Sequence, residues 1–170
     1  MKLRAATPAD LALLRSWDAK PHVRAACGDD GPLDWQTELP RRLDWRELLI
    51  AETEGRPVGL LQVIDPAREE SSYWGAVEPD LRAIDIWIGE ESDLGRGYGT
   101  EMMRLMLERC FGDPAVTAIF VDPLARNTRA HRFYERLGFR PVERRLFGND
   151  DCIVYRLERE EWRAISSGDA

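Results

Sequence analysis

The chain has 170 residues, 44% of them hydrophobic, and its 31 acidic and 24 basic side chains give a formal charge of −7. That length suits one domain, residues 1–170, which can bury roughly 70% of its unfolded surface without help from metals or disulfides. The charge argues against nucleic acid or an anionic membrane as a partner. Residues 1–17 lack the apolar centre of a signal peptide and no run approaches the ~20 apolar residues of a membrane span, so a cytoplasmic protein is expected. Cys27, Cys110 and Cys152 are odd in number and far apart, which disfavours a disulfide framework or a zinc site, and no metal is expected.

In chain order, "KLRAAT" reads as a first strand. "TPADLALLRSW" reads as a helix, with Thr7 as N-cap, Pro8 at the first helical position and apolar residues at helical spacing. Gly31, Pro32 and Pro40 break residues 29–45 into a loop with room for one short helix. "ELLIAETEGRPVGLLQVID" is a hairpin turning at "EGRP". In the strand "LRAIDIWIG", Leu81, Ala83, Asp85, Trp87 and Gly89 share one face, and Arg82, Ile84, Ile86 and Ile88 share the other. Asp85 therefore stands among apolar neighbours.

Residues 100–111 form a helix whose stripe is Met103, Met106, Leu107 and Cys110, and "AVTAIFVDP" is a strand. "NTRAHRFYERLG" is a helix with Ala130, Phe133, Tyr134 and Leu137 on one stripe and Gly138 at its C-terminal cap. "FRPVERRLF" and "CIVYRLER" are strands joined at "GNDD", and a short helix follows. The order predicts a mixed α/β (α+β) fold, with a mostly antiparallel sheet flanked by helices around a single βαβ unit.

Two features point to ligands. From Glu69 to Asp93 there are eight acids and one base, Arg82, which is either a solvated acidic surface or a basin for a cationic ligand. "DLGRGYGT" places Gly95, Gly97 and Gly99 between a strand and a helix N-terminus. There the backbone can turn tightly and free N–H groups and the helix dipole favour an anion, best a phosphate. The spacing is neither the dinucleotide G-x-G-x-x-G nor a P-loop, which would end in G-K-[ST].

With "DPLARNTRAHRFYERLGF" about thirty residues later, this loop resembles the two signature segments of the GCN5-related N-acetyltransferase superfamily. The match in the second segment is carried by Asn127, Ala130, Tyr134, Gly138 and Phe139. The resemblance implies a GNAT fold in which the glycine loop takes the pyrophosphate of acetyl-CoA and the strand before it, with Trp87 and Ile88, lines the pantetheine arm. The cofactor would thus meet Arg96, Gly97, Tyr98, Gly99, Thr100 and Asn127. It would lie wedged between strand 81–89 and strand 115–123. One departure is Leu94, which stands where the family usually has Gln or Arg, leaving the phosphates to backbone N–H groups and Arg96.

From "WDAKPHV" to "GNDDCIVYRLERE" the chain is similar to the aminoglycoside 6′-N-acetyltransferase branch. This resemblance implies Asp85 as general base, Tyr134 as general acid, and Asp122 and Asp150 as carboxylates that hold amino sugars. The acceptor would be a small cationic amine. A polyamine, a siderophore precursor or a protein N-terminus is the alternative acceptor, and a non-catalytic CoA-binding module is the rival class. Beside the acidic run, Trp74 and Tyr73 either stack on a sugar or pack. Asp85 could instead be a satisfied sheet carboxylate, Tyr134 a core tyrosine and Asn127 a cap of its own helix. His22 and His131 read as surface or packing residues, and nothing in the sequence sets an oligomeric state.

Overall fold

The computed structural model describes residues 1–28, 31 and 33–168. Strands β1 (Lys2–Ala5), β2 (Arg46–Thr53), β3 (Arg56–Ile64), β4 (Leu81–Ile88), β5 (Ala118–Val121), β6 (Arg140–Phe147) and β7 (Asp150–Glu158) form one seven-stranded sheet, ordered β1-β2-β3-β4-β5-β7-β6. Every pairing is antiparallel except β4 with β5. The α+β expectation holds. The β2–β3 turn has Glu54 at φ 52° and Gly55 at φ 76°, and this pair of left-handed residues suits the twist of a two-residue hairpin loop.

The first helix region opens as a 3₁₀ turn, Pro8–Asp10, and continues as α1 (Leu11–Asp18). Asp10 accepts both the Thr7 N–H and the Thr7 hydroxyl, and it pairs with Arg4. Helix α2 (Pro21–Cys27) was not expected; Pro21 starts it, and at seven residues it gave little periodicity to read. The short helix expected in the following loop is α3 (Trp35–Glu38). Helix α4 (Tyr98–Gly112) begins two residues earlier than expected, α5 spans Thr128–Arg136, and α6 is Arg159–Gly168.

Period-2 alternation in the strands sends side chains to two cores. On one side Met102, Met103, Met106 and Leu107 of α4 are fully buried against Leu49, Leu61 and Ile84. On the other, Leu14 and Trp17 of α1 and Trp35 of α3 cover Ile50 and Leu60. Asp85 and Trp87 lie on the second side, as the alternation in β4 dictates.

The connection from β4 through α4 to β5 is the only parallel crossover in the sheet as described. Its ladder is short: Leu81, Arg82 and Ala83 pair with Ala118, Ile119 and Phe120, and the pairing then stops. Residues 84–88 keep their partners on β3 but have none on the β5 side. Because the Gly89 N–H bonds Val58 O, alternation turns the backbone groups of Ile84, Ile86 and Ile88 into that gap.

Just after β4, Gly89 lies against the Trp17 indole, and a Cβ there would come within 2.0–2.3 Å of the ring. Trp17 is buried and has no free space to move into. Gly89→Ala should therefore destabilise the protein by about 1–3 kcal/mol through overpacking. Thermal unfolding followed by circular dichroism checks this, and an unchanged midpoint would mean that the α1–sheet contact yields freely.

Candidate functional site

Two cavities open on either side of the gap between β4 and β5. The first, of about 420 Å³, is walled by Asp85, Asp122 and Asp150 together with Gln62, Trp35 and Tyr134. The second, of about 710 Å³, is bounded by the glycine loop, the end of β4 and α5. Ala26, Ile86, Trp87, Asn127, Ala130 and Tyr134 belong to both, so the cavities meet at these residues. The geometry suits two ligands that react where they touch.

In the second cavity Gly95 (φ 77°) and Gly97 (φ 85°) adopt left-handed backbone, and an added Cβ at either would meet nothing within 4 Å. What these positions require of glycine is conformation, not space. The first backbone bond of α4 here runs from Glu101 N–H to Gly97 O, which leaves the N–H groups before it free for an anion. Leu94, Gly99 and Thr100 also line this cavity, and Leu94 gives it an apolar patch.

Arg96 and Tyr98 do not line it. Arg96 is exposed and lies near Asp93, while the Tyr98 side chain packs on the core and approaches Arg56. The cations on the wall are Arg129, Arg132 and Arg136, a stripe of α5. The positive charge on this cavity's wall thus comes from α5 and not from Arg96. A spacing of three and four residues inside "NTRAHRFYER" was the available signal. His22, from the unexpected α2, bonds Ile88 O at 2.9 Å, so it closes one backbone group of the gap and is more than a surface residue.

The first cavity is acidic, but not because of the acidic run. Glu70 pairs with Arg41, Glu78 with Arg156, Glu90 with Lys20 and Asp93 with Arg56. Glu69 caps the N–H groups of Ser71 and Tyr73. The basin reading therefore fails for the run as a whole and survives at Asp85 and Glu69, the two acids of the run that line this cavity. The other carboxylates arrive from elsewhere: Asp122 follows β5, and Asp150 opens β7, where its oxygen sits against the Gly28 α-carbon at the end of α2.

Asp85 accepts the Gln62 amide N–H at 2.7 Å; the two residues are direct partners across β3 and β4. Part of Asp85 faces the cavity, yet protein surrounds it on every side beyond, and this burial pushes its pKa up against the smaller opposing effect of Gln62. Asp122 accepts the Tyr73 hydroxyl at 2.8 Å, and burial, then the charge of Asp85, push it up to about 8. Tyr134 is buried, and burial followed by the charges of Asp85 and Asp122 raises its pKa, which keeps its hydroxyl protonated. The Asn127 side-chain oxygen accepts Ala130 N–H at 3.1 Å, so it does cap α5 while lining both cavities.

Trp74 is only 3% exposed and stacks on Phe120, which makes it chiefly a packed wall. Tyr73, 40% exposed, stacks on Phe147. Gln62 and Asp18, both on the first cavity, went unnoticed in the sequence.

A sheet that splits at its parallel pair, with a glycine-rich helix start on one side of the split and carboxylates on the other, defines an acyl-transfer site of the acetyl-CoA type. Residues 6–147 match the acetyltransferase (GNAT) domain family, and the chain belongs to that family. It is an N-acetyltransferase that takes its acetyl group from acetyl-CoA. It is 34% identical over 145 residues, 81% of this chain and 72% of the relative, to an aminoglycoside N(6′)-acetyltransferase type 1 of Klebsiella pneumoniae. It is 27% identical over 160 residues to a lysine N-acyltransferase of Mycobacterium tuberculosis, covering 92% of this chain and 76% of that one. The crystal structure of the aminoglycoside acetyltransferase AAC(6′)-Ib with coenzyme A and kanamycin superposes with a TM-score of 0.87 at 30% identity, covering 97% of this chain and 98% of that one.

The raised pKa of Asp122 has a consequence for stability. Unfolded, the carboxyl ionises near its ordinary value of 3.8; folded, it holds its proton until about 8. The native state thus binds more protons across that window, and stability falls as pH rises through it. Asp122→Asn removes the penalty and keeps an oxygen for Tyr73. Its melting temperature relative to wild type should rise steadily from pH 5 to pH 8, and a pH-independent difference would show that Asp122 ionises freely in the folded protein.

Proposed function

We propose that the enzyme transfers acetyl directly, in a ternary complex, to the 6′-amino group of an aminoglycoside. The observation that carries this reading is the meeting of the two cavities at Tyr134 and Asn127, with an anion-binding loop on one side and three carboxylates on the other. The likeness to the aminoglycoside N(6′)-acetyltransferase and to the kanamycin-bound structure supports the acceptor class.

An alkyl ammonium with a pKa near ~10 cannot attack a thioester until it loses a proton. Asp85 attracts the cation into the site, and an arriving ammonium would draw the raised pKa of Asp122 back down, so that its carboxyl ionises against the bound cation. Asp85 then accepts the proton, directly or through a water molecule, and its raised pKa makes it a stronger base than an exposed carboxylate. The freed amine attacks the acetyl carbon, the bond from carbon to sulfur breaks, the departing thiolate takes the Tyr134 hydroxyl proton, and the second proton lost by the nitrogen returns to Tyr134, leaving Asp85 to release its proton to water. The backbone of Ile86 and Ile88 faces the gap in which the pantetheine arm would lie. Trp74, Asp122 and Asp150 border the acceptor, while Trp87, Ile88, Gly97, Gly99, Thr100 and Asn127 border the donor.

The lysine N-acyltransferase likeness favours one competing acceptor, an amino-acid side chain or siderophore precursor. A thiol-release assay across kanamycin, lysine derivatives and polyamines decides between them, and NMR of the kanamycin product locates the acetyl group. Turnover of lysine derivatives alone, or acetylation at another nitrogen, would overturn the assignment. Direct transfer requires intersecting initial-rate lines; parallel lines would indicate an acetyl-enzyme.

Asp85→Asn should lower kcat by about 100-fold to 10,000-fold while coenzyme A binding, measured by calorimetry, stays at the wild-type level. Tyr134→Phe should lose less, because water can protonate the thiolate. An unaltered rate in either variant would return that residue to a packing role.

A further inference from the structure

The carboxylates discussed so far, Asp85, Asp122 and Asp150, come from the sheet and its loops. Asp18 enters the same cavity from elsewhere, as the last residue of α1. Its Oδ2 accepts the indole N–H of Trp35, which is 2% exposed, so the side chain is fixed in place by a neutral donor. Burial raises its pKa, and no ion pair reaches it among the described residues.

The nearby bases are committed elsewhere. Lys20 pairs with Glu90, the His22 ring bonds Ile88 O, and Arg15, three residues before Asp18, bonds the neutral Gln36 and makes no ion pair with Asp18 among the described residues. The cavity's own arginine, Arg46, is paired with Glu38. Glu69, a further acid on the wall, is held by the N–H groups of Ser71 and Tyr73. Asp18 thus keeps an uncompensated charge on the helical wall, while Asp85 keeps one on the sheet wall, and both lie within electrostatic reach of the Cys27 thiol.

A second polar group points to a ligand here. Gln62 is 8% exposed and lines the cavity, and its side-chain oxygen is buried without a hydrogen-bond partner. Such an orphan in a native cavity signals a site completed by something the protein does not supply. Trp87, half-buried and packed on the buried Trp35 with ring centroids 6.2 Å apart, gives the cavity an apolar wall.

We propose that Asp18 is a subsite for a second ammonium group of the acceptor, so that the enzyme selects polyammonium acceptors over amines that carry the reacting nitrogen alone. The proposal rests on the reading of the cavity as an acceptor site for cationic amines and goes beyond it in assigning specificity to one residue of α1. The reacting ammonium is drawn to the sheet carboxylates, and the second ammonium bridges to the helical wall.

The test compares kanamycin with 6-amino-6-deoxyglucose, which has one amine, on wild type and Asp18→Asn. Asparagine keeps a side-chain oxygen for the Trp35 indole, so the fold is preserved. The ratio of kcat/KM for kanamycin to kcat/KM for the monoamine should fall about tenfold in the variant, with the change in KM for kanamycin. In wild type alone, added salt should raise KM for kanamycin more steeply than KM for the monoamine.

An unchanged ratio, or equal losses for both acceptors, would overturn the subsite while leaving the acceptor class intact. Failure of wild type to acetylate kanamycin would instead remove the underlying reading and the subsite with it.

Discussion

The structure depends on one interruption: β4 runs parallel to β5 for three residues and then leaves it. A parallel pair needs a crossover, and α4 supplies it, so the glycine loop lies by necessity at the carboxyl end of β4 beside the gap. The other crossing element, α5, follows β5 and brings Tyr134 and Asn127 to the same place from the opposite side. Cofactor wall, acceptor wall and the groups between them are thus all arranged by a single loss of strand pairing. Unpaired strand backbone inside a protein is costly unless something else bonds it. His22 takes one of these groups, and alternation directs the others into the gap.

Two kinds of carboxylate coexist in this chain, and their partners tell them apart. Asp10 and Asp93 are buried against arginines, Arg4 and Arg56, which hold their pKa values below the ordinary range. Asp18, Asp85 and Asp122 are held by neutral donors, Trp35, Gln62 and Tyr73, and burial pushes their pKa values up. An arginine would satisfy the geometry equally well but would cancel the charge. A neutral N–H or O–H orients one oxygen and leaves the negative potential available to a cation. The first group serves the fold; the second, on the proposed reading, would be completed by an amine.

Much of this was legible in the sequence wherever the signal was local. Alternation over residues 81–89 placed Asp85 correctly, and the spacing from Asn127 to Phe139 fixed both the cap and the buried stripe of α5. What failed depended on distant pairing. The acidic run looked like a basin because Lys20, Arg41, Arg56 and Arg156, which pair with four of its eight acids, lie far away in sequence. Gln62 becomes the partner of Asp85 only through the β3–β4 register. Arg96 belonged to the recognised loop, but the loop's left-handed turns leave it exposed and off the cavity wall, whereas the arginines of α5 reach that wall through helix packing. Helix α2, short and opened by a proline, carried too few turns for periodicity to show.

The net charge of −7 conceals a polarity that matters more than the sum. On the wall of the cavity beside the glycine loop stand Arg129, Arg132 and Arg136 with the free N–H groups of α4; on the wall of the other stand Asp18, Asp85, Asp122 and Asp150. Under the proposed assignment the anionic thioester and the cationic amine would be sorted to opposite sides of Tyr134 before they touch. Each ligand would be repelled from the other's cavity, so unproductive occupation is disfavoured by the same charges that favour productive binding. The two potentials meet where the proton must leave nitrogen and another must reach sulfur. The group that stands there, Tyr134, is kept protonated first by burial and then by the charges of Asp85 and Asp122.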